Sequence, residues 1–74
     1  MPHTFDDLVA LERLAEEARA AYVAAPDDGS RTVWRDAADV FQAAVVEHAE
    51  AEGKSRYEVE MAAKKAVRHP ELAA

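Results

Sequence analysis

The chain has no cysteine, and only two glycines and three prolines occur among its 74 residues. Without cysteine it can form neither a disulfide nor a thiolate zinc site, two supports on which small domains commonly depend. A single core of this size seldom contributes more than about 3 to 5 kcal/mol of stability. We therefore expect one helical domain, residues 1–74, that is completed by a partner subunit.

Long apolar runs are also missing, because charged residues interrupt every segment well short of the ~20 apolar residues that cross a membrane. The first residues include Asp6 and Asp7, where a secretory signal would be basic and then apolar. We expect a cytoplasmic protein without membrane contact. The 18 alanines, with the absence of isoleucine and asparagine, are typical of a high-GC bacterial genome.

Basic residues are few, since nine lysines and arginines face 15 aspartates and glutamates, for a net charge of -6. The charge is uneven: residues 1–52 hold twelve acidic and four basic side chains, and residues 53–74 hold three acidic and five basic ones. Nucleic-acid binding normally requires clustered lysine and arginine. The composition therefore argues against it, with the C-terminal segment as the exception.

The composition predicts an all-α protein, because alanine is the strongest helix former and few residues interrupt it. Side chains that cap helix starts occur at Thr4, at Ser30 or Thr32, and at Ser55. Residues that end helices follow at Pro26, Gly53 and Pro70. The predicted helices are about residues 4–25, 31–52 and 56–68, and Glu58 would complete a capping box with Ser55.

Helical periodicity places apolar residues on one face of each predicted helix. In the first helix these are Leu8, Leu11, Leu14, Ala15, Ala18, Ala21, Tyr22 and Ala25, opposite Glu12, Arg13, Glu16 and Arg19. In the second helix they are Val33, Trp34, Ala37, Val40, Phe41, Ala44, Val45, His48 and Ala51. In the shorter third helix they are Val59, Ala62, Ala63, Ala66 and Val67. The two longer helices should form an antiparallel hairpin anchored by Leu11, Leu14, Tyr22, Trp34 and Phe41.

Some apolar residues fall outside these faces, and they are the candidate interface: Phe5, Val9, Val23, Tyr57 and Met61. A small bundle would leave them exposed, which indicates association with other helices, most simply a homodimer or another homo-oligomer, or else a helical partner protein. The alternative is that the termini fold back, with Leu72 covering Tyr57 and Phe5 packing against the first turn of its own helix.

His48 lies in the middle of an apolar face, where its ring nitrogens need a partner. We expect a structural histidine bonded to Tyr22, Tyr57 or a backbone carbonyl. A metal site with Glu52 would need further ligands, and no second pair has matching spacing, so we predict no metal and no cofactor. The remaining hypothesis is a pH-sensitive switch at His48.

Catalytic motifs are not recognisable in the sequence. The hydroxyl residues are explained as helix caps, the carboxylates occupy polar faces, and the isolated glycines form no phosphate-binding loop. We therefore predict a noncatalytic protein-interaction or regulatory module that self-associates, and not an enzyme. The alternative is a nucleic-acid-associated regulator that uses Lys64, Lys65 and Arg68 of the third helix.

Overall fold

The computed structural model describes residues 3–69, and this part of the chain folds into three α-helices without a strand. Helix α1 is Phe5–Ala24, α2 is Asp28–Glu52 and α3 is Arg56–Arg68. The described chain is 87% helical, which confirms the predicted all-α class. None of these three helices is long and apolar enough to cross a membrane. Pro70 and Leu72, which the sequence assigned a helix stop and a covering contact, lie outside the described residues.

Helix α1 begins with a complete capping box. The Thr4 hydroxyl accepts a hydrogen bond from the Asp7 backbone N–H at 3.1 Å, and the Asp7 carboxylate accepts one from the Thr4 N–H at 3.0 Å. Hydrogen bonds from the Thr4 backbone and then from its hydroxyl hold the pKa of Asp7 below its ordinary value of 3.8. A negative charge is therefore fixed at the start of α1, where it also favours the helix dipole.

Helix α2 begins at Asp28 rather than at residue 31, because its cap is Asp27 rather than Ser30 or Thr32. The Asp27 carboxylate accepts from the Ser30 N–H at 2.7 Å, and the Ser30 hydroxyl accepts from the Asp27 N–H at 3.2 Å. Thr32 lies within the helix, where its hydroxyl donates to the Asp28 carbonyl at 2.9 Å. The Asp27 carboxylate accepts from a backbone N–H of the first turn as a serine cap would, so the helix begins earlier in the chain than predicted.

Helix α2 ends at Gly53, which adopts the left-handed conformation with φ of 64°. This conformation, which only glycine adopts without strain, turns the chain into α3. At the start of α3 the Ser55 hydroxyl accepts from the Glu58 N–H at 3.3 Å, the serine half of the predicted capping box.

The core lies where α3 packs against the two longer helices. Its members are Leu8 of α1, Phe41, Ala44, Val45 and Ala49 of α2, and Val59 and Ala63 of α3, with Leu11 partly buried beside them. Two further contacts join α1 and α2 near their ends. The Tyr22 and Trp34 rings lie 5.5 Å apart between centroids, and His3 contacts Glu47 and His48.

Several predicted burial assignments are wrong. Glu12, placed on the polar face, is only 3% exposed, and the predicted anchor Leu14 is 56% exposed. The small or β-branched residues that were placed on inward faces but are exposed are Ala21, Ala25, Val33, Val40, Ala51 and Ala62. The physical reason is the position of α3, which packs over the side of α1 that bears Glu12 and leaves the side that bears Leu14 uncovered by any described residue.

Candidate functional site

An apolar groove opens between α1 and α2 on the side away from α3. We call this surface the open face; its residues are Leu11 and Leu14 of α1 and Asp36, Ala37 and Val40 of α2. The groove has a volume of about 210 Å³. Leu14 is 56% exposed and Val40 is 53% exposed, although both are large apolar side chains. Both side chains therefore remain largely in contact with solvent in the described chain.

Acidic residues surround the open face. Asp36 lines the groove itself. Asp7, Glu17 and Glu47 lie within two helical turns of the groove residues on the same or an adjoining side of their helices, and all three are exposed. Glu47 also accepts a hydrogen bond from the His3 N–H at 3.1 Å. The charge around this apolar surface is therefore negative.

The exposed side of α3 has the opposite charge. We call this surface the outer face; its residues are Tyr57, Met61, Lys65 and Arg68, which recur at the three- and four-residue spacing of one helix side. Tyr57 is 71% exposed, and Lys65 and Arg68 are also exposed. Neither basic side chain makes an ion pair with another residue of the described range. Glu58 is the exposed carboxylate at the N-terminal end of this face.

Lys64, the first of the three candidate nucleic-acid contacts, is directed to the interior instead. Its Nζ lies 3.9 Å from Oε2 of the buried Glu12 and 5.9 Å from the centroid of the Phe41 ring. Burial raises the pKa of Glu12 above its ordinary value of 4.5, and the nearby Lys64 ammonium opposes that rise. Of the three predicted contacts, Lys65 and Arg68 are therefore exposed, whereas Lys64 is partly buried.

A polar cleft of about 500 Å³ opens beside this ion pair. Its residues come from all three helices: Glu12, Ala15, Glu16, Arg19, Trp34, Ala38, Phe41, Gln42, Lys64 and Arg68. Both signs of charge are present, and the buried carboxylate already has a cationic partner. The Glu12–Lys64 ion pair joins α1 to α3 beside this cleft.

The five predicted interface residues do not form one patch. Tyr57 and Met61 lie together on the outer face, whereas Phe5 and Val9 are at the start of α1 and Val23 is near its end. Val9 is half-buried, and Phe5 borders a crevice of about 430 Å³ that also includes His48. The helical pattern missed the open face, because it assigned Leu14 and Val40 to the core.

His48 is 9% exposed, and its Nδ1 donates to the His3 carbonyl oxygen at 2.6 Å. A backbone carbonyl was one of the three partners considered, but the sequence pattern did not point to His3. The bond fastens the segment before α1 to the last turns of α2. Within residues 3–69, no group of three or more histidine, aspartate or glutamate side chains could hold a metal ion.

The hydroxyl groups that could have served as nucleophiles are occupied at helix starts. Thr4, Asp27 with Ser30, and Ser55 form the caps described above, and the Ser30 hydroxyl also donates to the Ala25 carbonyl at 3.2 Å. In the structure these hydroxyl groups therefore serve the helix starts. No family model, curated protein or solved structure matches the chain.

Proposed function

We propose that this protein is a noncatalytic interaction or regulatory module that associates through its helices, in the first place with further copies of itself. The observation that carries the proposal is the open face, where Leu14 and Val40 line an apolar groove while more than half exposed. Burying apolar surface contributes about 25 cal/mol per Å². A domain with so small a core would gain stability by covering this groove.

The proposal includes the arrangement of the two long helices. His3, just before α1, contacts His48 near the end of α2, and the end of α1 contacts the start of α2 through Tyr22 and Trp34. These contacts support an antiparallel hairpin whose one side is covered by α3. A helix from another subunit would then cover the other side and complete a bundle of four helices.

The nucleic-acid alternative has less support. Lys64 is paired with Glu12, which leaves Lys65 and Arg68 as the exposed cations of α3, near the carboxylate of Glu58. Two such cations supply little of the clustered positive charge on which phosphate binding depends.

Light scattering across the micromolar range tests the self-association, because the monomer has a mass of 8.1 kDa. We expect the weight-average mass to rise with concentration and to fall back to the monomer in Leu14→Ser. Val23→Ser is the matched control, since it removes a similarly exposed apolar side chain, 62% exposed, outside the groove. A strictly monomeric wild-type protein would contradict self-association, and an effect of Val23→Ser alone would contradict the open face as the contact.

A further inference from the structure

We infer that the association is head to tail: the outer face of α3 in one copy occupies the open face of α1 and α2 in the next copy. The inference rests on the proposed function and names the partner surface for it. It is based on the opposite charges of the open face and the outer face. One copy cannot bring these two surfaces together.

A two-fold contact of the open face with itself is disfavoured by charge. Asp36 lines the groove, and Asp7, Glu17 and Glu47 surround it. A self-complementary contact brings the same residues of both copies together. Four carboxylates from each copy would then meet around one small apolar contact, and like charges across an interface oppose association.

The outer face of α3 has the complementary properties. Tyr57 and Met61 supply apolar contact at one turn's spacing, and Lys65 and Arg68 continue the same side of the helix. Tyrosine, methionine and arginine are among the residues enriched at protein interfaces. The lysine and arginine would meet the acidic surroundings of the groove, while the tyrosine and methionine would cover Leu14 and Val40.

The length of α3 is sufficient for this contact. A helix rises 1.5 Å per residue, so the 13 residues of α3 extend about 20 Å. On α2, the groove residues Asp36 to Val40 span about 6 Å. One α3 helix would therefore cover the groove of the open face along its whole length.

The two surfaces of one copy cannot meet each other. Helix α3 packs through Val59, Ala63 and Ala66, which are buried against α1 and α2. The side with Tyr57, Met61 and Lys65 is therefore directed away from the bundle, while Arg68 also borders the polar cleft between the helices. The open face lies on the other side of α1 and α2. The contact therefore needs a second copy. A pair formed in this way keeps one unused open face and one unused outer face, which leads to a closed ring or an open chain.

Two complementary variants test the inference. Val40→Asp places a charge in the groove and leaves the outer face intact, while Tyr57→Asp does the reverse; both positions are more than half exposed, so folding should be retained. We expect each variant alone to be monomeric by light scattering, and an equimolar mixture to form a one-to-one dimer that grows no further. Circular dichroism checks the helix content, and Leu14→Ser replaces Val40→Asp if that variant unfolds.

The outcomes separate this inference from the proposed function. If the wild-type protein is oligomeric and Tyr57→Asp stays oligomeric, or if the mixture fails to recombine, the head-to-tail contact is wrong while self-association stands. If the wild-type protein is monomeric at every concentration, both are wrong. Added salt should lower the mass, because it screens attraction between opposite charges; a rise in mass with salt would overturn the contact, since it indicates relief of acidic repulsion.

Discussion

Two residues of α1 that lie two positions apart differ in an unusual way: Glu12 is 3% exposed and Leu14 is 56% exposed. Glu12 lies on the side covered by α3, where Lys64 comes within 3.9 Å of its carboxylate. Leu14 lies on the open face, which no described residue covers. The position of α3, rather than the hydrophobicity of each side chain, therefore decides which of these two side chains is buried.

The side of α1 that faces α3 can bury the Glu12 carboxylate because α3 places the Lys64 ammonium beside it. The long Lys64 side chain brings its ammonium between Glu12 and the face of the Phe41 ring, and it remains 26% exposed. The Lys64 charge is thereby still partly hydrated, which lowers the cost of burying the pair. On the open side residues 3–69 provide no such third element, so Leu14 and Val40 remain in contact with solvent.

The largest expected effect comes from the same substitution on the two sides. Leu8 is fully buried in the core, so Leu8→Ala should destabilise the monomer by about 2 to 5 kcal/mol, enough to unfold much of it. Leu14→Ala should change stability by no more than about 0.5 kcal/mol, since surface substitutions have small effects. Urea unfolding followed by circular dichroism, at a protein concentration where the chain is monomeric, measures both.

Equal losses of unfolding free energy in Leu8→Ala and Leu14→Ala would contradict this prediction, because they would mean that Leu14 is covered within the monomer. Alanine has the highest helix propensity, so no loss in either variant comes from helix propensity.

The Glu12–Lys64 pair should respond unequally to the loss of its two members. Lys64→Met leaves the buried carboxylate without its cation and should cost about 1 to 3 kcal/mol at neutral pH. Glu12→Gln removes the buried charge and leaves a lysine that can reach water, so it should change stability by less than about 1 kcal/mol. Lys65→Met is the matched control, because Lys65 is exposed and makes no ion pair with a described residue.

Unfolding free energies of the single variants and of the double variant complete a mutant cycle. A loss in Glu12→Gln as large as that in Lys64→Met would show that the carboxylate itself stabilises the docking of α3. The packing of α3 on the Glu12 side of α1 would then depend on a charge, whereas the proposed association through the open face depends on apolar contact.

The helices could be predicted from the sequence because their causes are local. Alanine content, the Thr4 and Ser55 caps and the left-handed Gly53 all act within a few residues, and the bounds differ chiefly at Asp27, a cap that the pattern passed over. The burial of Glu12 could not be predicted in this way. It depends on Lys64, which is far along the chain and belongs to another helix.

The open face was missed for the same reason. The apolar arc of α1 is wide enough to face two neighbours, and periodicity does not say which part of the arc each neighbour covers. Leu14 and Val40 were assigned to a hairpin core, whereas the helices meet through Leu8, Phe41 and Ala44. Asp36 and Glu47 lie before and after Val40 on the same side of α2, and these acidic residues could have indicated that this side is exposed.

The smallest effect is a difference in pH dependence between the two sides. Burial raises the pKa of Glu12 above 4.5, so the folded state binds the proton more tightly than the unfolded chain does. The stability that Glu12 contributes is therefore present below that ordinary value and is lost as the pH rises through the raised pKa. Relative to Glu12→Gln, the wild-type protein should be most stable in acid and should lose that advantage towards neutral pH.

Asp7, beside the open face, should show the opposite sign and is the control. Its pKa is lowered by the bonds from Thr4, so its contribution is present above 3.8 and is lost as the pH falls. Urea midpoints of the wild-type protein, Glu12→Gln and Asp7→Asn over the same pH range give the two differences. Parallel curves for the two variants would mean that Glu12 is as well hydrated as Asp7, and the contrast between the covered and the open side would not hold.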